Sequence, residues 1–219
     1  MTGSTVYPDN LLNGNVMVWS FSMNPLGSSH PAAEIVEGWT GPPVLEDETS
    51  DGGTALRGPS TAFSGRRAKP ETVPRVIRWK SRQRIGDYAG VFIASVSDRL
   101  RALIEEIEPG VHQFEPVRFL AKDGSLLEER WFWQICNRID SVNRQATKMI
   151  LSDGLIWAAD FTLPKDQRGP MVFDTQQIGD AKFWHDKHVG AGSFCTDDVR
   201  EILDKAKITG FHFRYFDQV

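Results

Sequence analysis

The chain has 219 residues, 25 Lys and Arg against 29 Asp and Glu, a formal charge of −4, two cysteines and 40% hydrophobic residues. That composition suits a folded globular protein and excludes a disordered chain, a collagen-like repeat and a coiled coil. The longest uninterrupted apolar run, 155–159, is five residues long, far short of a membrane span.

Folded-surface scaling for this mass leaves roughly 10,000 Å² exposed out of about 36,000 Å² in the extended chain, so a core can form without disulfides or metals. The first residues carry no basic region followed by an apolar stretch, so no secretory signal is expected. Two thiols, Cys136 and Cys195, without a Cys-x-x-Cys pair fit a reducing, cytoplasmic setting. Charge is unevenly spread. Residues 1–56 hold seven acids (Asp9, Glu34, Glu37, Glu46, Asp47, Glu48 and Asp51) and no Lys or Arg, while residues 57–100 hold ten bases and three acids. Such segments either pair with one another or offer a signed face to a partner.

In chain order, the turn signal at 13–15 precedes a strand in which Val16, Val18 and Ser20 alternate with Met17, Trp19 and Phe21. Ile35, Val36 and Trp39 suggest a second short strand. Residues 41–74 are rich in Gly and Pro and poor in apolar residues, so they read as a long irregular loop, partner-facing or without fixed structure. Extended pieces follow at 73–79 and 91–93. The clearest helix has Val96, Leu100, Leu103, Ile104 and Ile107 at helical spacing. Ser95 or Ser97 can cap it, Asp98 suits its first turn, and Pro109-Gly110 ends it.

Strands are then expected at 114–120, where Pro116 suggests an edge or bulge, and at 129–139, with Trp131, Trp133 and Ile135 opposite Phe132, Gln134 and Cys136. Hairpin signals stand at Asp123-Gly124 and Ser152-Asp153-Gly154, the latter between strands at 148–151 and 155–161. These pieces suggest an antiparallel meander whose Trp131 strand is central and covered by a helix. The last fifty residues read as strand (181–184), polar loop (185–193), helix and strand. Thr196 caps that helix, Val199, Ile202, Leu203 and Ala206 form its apolar stripe, and Gly210 takes the left-handed position after it. Phe211, Phe213 and Tyr215 alternate with His212 and Arg214 in a half-buried closing strand. The expected fold class is α+β, mainly antiparallel sheet with two principal helices packed on it and a long irregular N-terminal loop.

Candidate chemistry is sparse. Gly190-Ala191-Gly192 lacks the third glycine and the βαβ frame of a phosphate loop. His185, Asp186, His188, Cys195 and Asp197 are metal-ligand types within 13 residues, but the segment reads as a loop with exposed histidines, and Asp197 has a helix-start role. Glu105, Glu106 and Glu108, like Glu128 and Glu129, read as solvated faces. Arg66, Arg67, Lys69, Arg75, Arg78, Lys80, Arg82 and Arg84 surround Trp79, but no nucleic-acid motif accompanies them. No cofactor is expected, nor binding to nucleic acid or membrane; homo-oligomerisation is left open.

Residues 96–140 and 194–213 carry a recognisable pattern. A helix ends in Glu108-Pro109-Gly110 and leads into Phe114-x-Pro116-Val117. Strand content from Asp174 to Trp184 precedes a helix opened by Thr196-Asp197-Asp198, and Gly210-Phe211-His212-Phe213 closes the domain. This resembles a family of bacterial immunity proteins, first catalogued as a domain of unknown function, that neutralise polymorphic or contact-dependent toxins encoded beside them. The resemblance covers about 90–219 of a single domain spanning 1–219, with 1–90 a loosely matched N-terminal lobe and 41–74 particular to this chain. It implies a non-enzymatic protein that binds a cognate bacterial toxin or secreted effector. The acidic segment, Glu46, Asp47, Glu48 and Asp51, is the expected toxin-binding face. The alternatives are a metal-dependent enzyme using His185, His188 and Cys195, or an adaptor or chaperone for a secreted effector.

Overall fold

The computed structural model describes residues 17–23, 33–81, 84–90, 94–164 and 169–219. Asp9, the turn signal at 13–15, Val16, Arg82 and the run 91–93 lie outside them. In chain order the strands and helices are β1 (Val18–Met23), β2 (Ala33–Gly38), β3 (Pro74–Trp79), β4 (Tyr88–Gly90), β5 (Ala94–Val96), α1 (Asp98–Ile107), β6 (Gln113–Leu120) and β7 (Leu126–Gln134). There follow β8 (Arg138–Ile139), β9 (Ile150–Ser152), β10 (Ile156–Ala158), β11 (Val172–Phe173), α2 (Thr175–Ile178), β12 (Phe183–Asp186), β13 (Ser193–Thr196), α3 (Asp197–Lys205) and β14 (Phe211–Gln218).

Local signals placed most of these elements. Ser97 Oγ accepts from Leu100 N at 3.3 Å at the start of α1, which buries Leu100 and Ile104. α3 buries Val199 and Leu203. The turn at Asp123-Gly124 joins β6 to β7 in one hairpin, and Asp153-Gly154 joins β9 to β10 in another. Two residues after α3 have positive φ, Lys207 directly behind the helix (53°) and Gly210 three residues on (99°). Gly210 stands where the backbone of Tyr88 lies so close that no Cβ fits.

The strands form two six-stranded sheets and a separate β9–β10 ribbon. The first sheet has the order β11-β14-β1-β13-β12-β8, the second β2-β3-β6-β7-β5-β4. Both are mixed, which corrects the expected antiparallel meander: β3 pairs parallel with β6, β12 with β8, and β11 with β14. Hairpin signals report only the strand next in sequence, whereas these partners are brought together by crossovers. Pro116 lies inside the second sheet. β3 pairs only with residues from Arg118 onward, so no neighbour on that side requires a donor from Pro116.

Strands from before residue 90 are built into both sheets. β1 lies in the middle of the first sheet, with Trp19 opposite Cys195 on one side and Tyr215 on the other. β2, β3 and β4 belong to the second sheet. The main core lies between the sheets and takes in Trp19, Phe21, Tyr88, Trp133 and Phe183 together with Leu100 and Ile104 of α1 and Val199 and Leu203 of α3. A second core on the far face of the first sheet contains Val18, Trp157, Phe173, Trp184 and Phe194. The first sheet is therefore covered on both faces, and every residue of β12 and β13 is buried.

Candidate functional site

Segment 41–74 is folded onto the sheets rather than loose. Leu45 and Ala68 are buried and form a β-bridge. Lys69 N donates to the Val44 carbonyl at 2.8 Å, and Glu46 N donates to that of Arg67 at 3.0 Å. Thr61 Oγ1 donates to the Pro43 carbonyl at 2.6 Å. Two short 3-10 helices, Gly58–Phe63 and Pro70–Thr72, complete the segment. Composition understated this order because few apolar residues, placed at the right points, suffice when backbone groups find partners.

A largely buried arginine fastens the acidic part. Arg138 of β8 donates from Nε to Asp51 Oδ2 at 2.7 Å and from Nη2 to Asp51 Oδ1 at 2.9 Å. It also donates to the carbonyls of Ser64 and Thr54 at 2.9 and 3.0 Å. Arg66 lies 3.2 Å from Asp51. The hydrogen bonds from Arg138, with Arg66 and the Gly53 N–H assisting, hold the Asp51 carboxyl well below the usual carboxylate range despite burial. Asp51 therefore braces the segment.

The other three acids of this group are exposed. Asp47 Oδ1 accepts from Thr49 N at 2.8 Å, and Thr49 holds the carboxyl below its ordinary value. Arg66 reaches Asp47 at 3.4 Å, and the exposed Arg57 lies 4.0 Å from Glu48. No ion pair engages Glu46 among the described residues. Along β2, Glu34 pairs with Lys80 at 2.7 Å and Arg78 at 3.4 Å, and Glu37 with Arg118 at 3.7 Å. Several residues of the basic stretch thus partner the acids of the preceding segment.

The metal-type residues fare differently from expectation. His185 and His188 are each 2% exposed, so neither is a solvent-facing loop histidine. β12 runs as far as Asp186 inside a sheet covered on both faces. His185 Nδ1 donates to the Gly192 carbonyl at 2.8 Å, and burial pushes its pKa down to about 4. His188 Nδ1 donates to the Leu155 carbonyl at 3.0 Å. Asp186 accepts from Ser141 N, Ser141 Oγ and His188 N, each at 2.7 Å, yet burial raises its pKa. Cys195 lies in the main core, its thiol pushed up by burial, and Asp197 accepts from Trp19 Nε1 at 2.7 Å. Among the described residues, no three His, Cys, Asp or Glu side chains gather as a metal-ligand set.

Glu108 is another correction: it is 8% exposed, not solvated. Its carboxylate receives His112 Nε2 at 2.8 Å, Lys182 N and Phe183 N at 2.9 Å, and Asn137 Nδ2 at 3.0 Å. It thereby ties the end of α1 to the start of β12. A sequence signal existed, since Leu100, Ile104 and Glu108 are four apart and share one helix stripe. The two-residue strand of Arg138 gave no comparable signal.

The described residues thus form a two-sheet α+β fold that carries an ordered acidic segment on its surface. The chain belongs to the immunity protein family Imm11, whose family model matches residues 36–218. No curated protein matches it. The matched span begins well before residue 90 and runs across segment 41–74. No helix among the described residues is long and apolar enough to cross a membrane.

Proposed function

We propose that this chain is the immunity partner of a bacterial toxin or secreted effector. It binds that toxin one-to-one in the cytosol of the cell that makes both, and it neutralises the toxin by occupying its working surface, without turnover of its own. The observation that carries this reading is membership of the Imm11 immunity protein family over most of the chain. One core shared by both sheets supports treating the described residues as a single binding unit.

We place the contact at Glu46, Asp47 and Glu48, with Asp51 holding them in position. Three exposed carboxylates on an ordered segment supply a negative field that steers a basic partner. Because the segment is braced before the partner arrives, little ordering cost accompanies binding.

The test pairs this chain with the toxin encoded beside it. Growth on co-expression, stoichiometry by titration calorimetry and association rates at two salt concentrations are measured. Expected are protection, a one-to-one complex, and slower, less salt-sensitive association after Glu46→Gln, Asp47→Asn and Glu48→Gln together. A wild-type chain that neither binds nor protects overturns the function. A toxin bound but fully active identifies an adaptor instead.

A further inference from the structure

We propose that Trp39 is a preorganised anchor for the toxin, an indole against which an arginine or lysine of a basic toxin surface packs. The inference rests on the toxin-binding reading above and names its contact point.

Trp39 follows β2, is 42% exposed and joins none of the core clusters. It is nevertheless held. Nε1 donates to the Pro42 carbonyl at 2.8 Å. The indole also lies against Gly41, where a Cβ would stand 2.8 to 3.1 Å from Nε1, Cε2 and Cζ2. A hydrogen bond and a glycine-sized gap therefore seat the ring while much of it remains in water. Burial does not account for that arrangement, whereas interface anchors have this character: large, amphipathic and already in their bound rotamer.

The surroundings select the partner. Residues 33–38 pair antiparallel with 74–79, and after the break that holds Trp39 and the 3-10 turn Pro70–Thr72 the two stretches meet again at 44–46 and 67–69. Ala33 faces Trp79 and Gly38 faces Pro74; farther on, Val44 bonds Lys69, Leu45 bridges Ala68 and Glu46 bonds Arg67. Among the described residues, β2 is the end strand of its sheet. The outer stretch and its continuation hold Glu34, Glu37, Glu46, Asp47 and Glu48, with no Lys or Arg from 33 to 56. The bases Arg67, Lys69, Arg75, Arg78 and Lys80 stand on the inner stretch and just beyond it. Trp39 thus sits midway along the acidic edge, with Val36 also 43% exposed. The face of an indole attracts cations; Glu34 and Glu37 are already matched by Lys80, Arg78 and Arg118, so the added negative charge comes from the exposed Glu46, Asp47 and Glu48 farther along the chain. The same carboxylates repel an acidic partner.

The experiment uses the full chain and an inactivated variant of the toxin encoded beside it, with binding kinetics and urea midpoints measured for W39A, W39F and G41A. W39A is expected to weaken binding about thirty-fold or more, mainly through faster dissociation. W39F should lose several-fold, because the phenyl ring is the weaker cation acceptor. G41A, which unseats the indole, should also weaken binding, and the urea midpoint of W39A should match wild type. Wild-type binding with W39A and W39F both within two-fold overturns the anchor while leaving the immunity function standing. Cross-links from position 39 to an acidic toxin surface overturn it as well. No wild-type binding overturns the function itself, and with it this inference.

Discussion

Glu108 lies one turn beyond Ile104 on the buried stripe of α1 and meets four donors. Two are main-chain N–H groups at the entry to β12, where Phe183 is fully buried. Replacement by alanine leaves all four without an acceptor. A buried donor left unpaired costs about 1–3 kcal/mol, more beside charge. Water entering the vacated space recovers part of that loss, so Glu108→Ala is expected to cost about 4 kcal/mol.

Glu108→Gln is the sharper probe. Cys136 N donates to His112 Nδ1 at 3.2 Å, so the imidazole proton sits on Nε2 and is given to Glu108 Oε2 at 2.8 Å. Oε2 also serves Phe183 N, while Oε1 serves Lys182 N and Asn137 Nδ2. Whichever oxygen becomes an NH2, it faces two donors, and His112 cannot change tautomer without opposing the Cys136 N–H. The isosteric change should therefore still cost about 2–3 kcal/mol.

Urea unfolding at neutral pH measures both variants, with unchanged slopes confirming that the midpoints compare stabilities. Burial pushes the Glu108 carboxyl up, but the His112 and main-chain hydrogen bonds outweigh it, and its pKa falls below the ordinary 4.5. Its contribution is therefore fully present above that value and lost as pH falls through the folded value. A Glu108→Ala chain within 1 kcal/mol of wild type, or a Glu108→Gln chain indistinguishable from it, would refute the reasoning.

Trp133→Ala should lower stability by about 3–5 kcal/mol by the same urea assay, because this 2% exposed ring packs on Phe21 and Phe183 in the main core. His185, neutral in the fold with a pKa near 4 against an ordinary 6.5, should make stability fall as pH drops from 6.5 to 4, since the unfolded chain binds the proton first. Across that window the loss is about 3 kcal/mol. Thermal melts from pH 7 to 4 should show this acid limb shallower in His185→Phe. Asp186, raised by burial, acts in the opposite sense above its ordinary 3.8, so the comparison with the variant isolates His185. Asp51→Ala should cost about 1–3 kcal/mol and speed amide exchange across 41–74, because it removes the countercharge and the Nε acceptor of an Arg138 side chain that is only 7% exposed.

What was legible in the sequence was local. α1, α3, the two hairpins and the alternation of β14 follow from patterns within a dozen residues, and all are present. Pairings such as β1 with β13 and β14, or β3 with β6, carry no local mark, because each depends on a crossover that brings distant strands together. The same blindness misplaced His185 and His188. A polar, glycine-containing stretch reads as a surface loop unless one knows that a second core covers the sheet it enters. Within the acidic segment, the residue types were evident but their division of labour was not. Whether a carboxylate faces solvent or an arginine depends on where Arg138 lies, 87 residues away.

That division has a kinetic consequence under the proposed function. If segment 41–74 became ordered only on contact, replacing any of its acids would alter both capture and release of the toxin. With Asp51 bound by Arg138 and Arg66, the segment is already in place, and the roles separate. Under that proposal, Glu46, Asp47 and Glu48 act through the long-range field, which governs encounter and fades with salt. The proposed anchor Trp39, seated by Gly41 and Pro42, would act only at contact and govern departure. Asp51 affects both, because its loss releases the segment that presents the charges. Neutralising the three exposed acids should therefore slow association with little change in residence time. Trp39→Ala should shorten residence at nearly unchanged association, and Asp51→Ala should do both while flattening the salt dependence less than the triple change does. A common pattern across all three variants would mean that the segment orders on binding, and that the brace seen in the free chain is not what presents the acidic face.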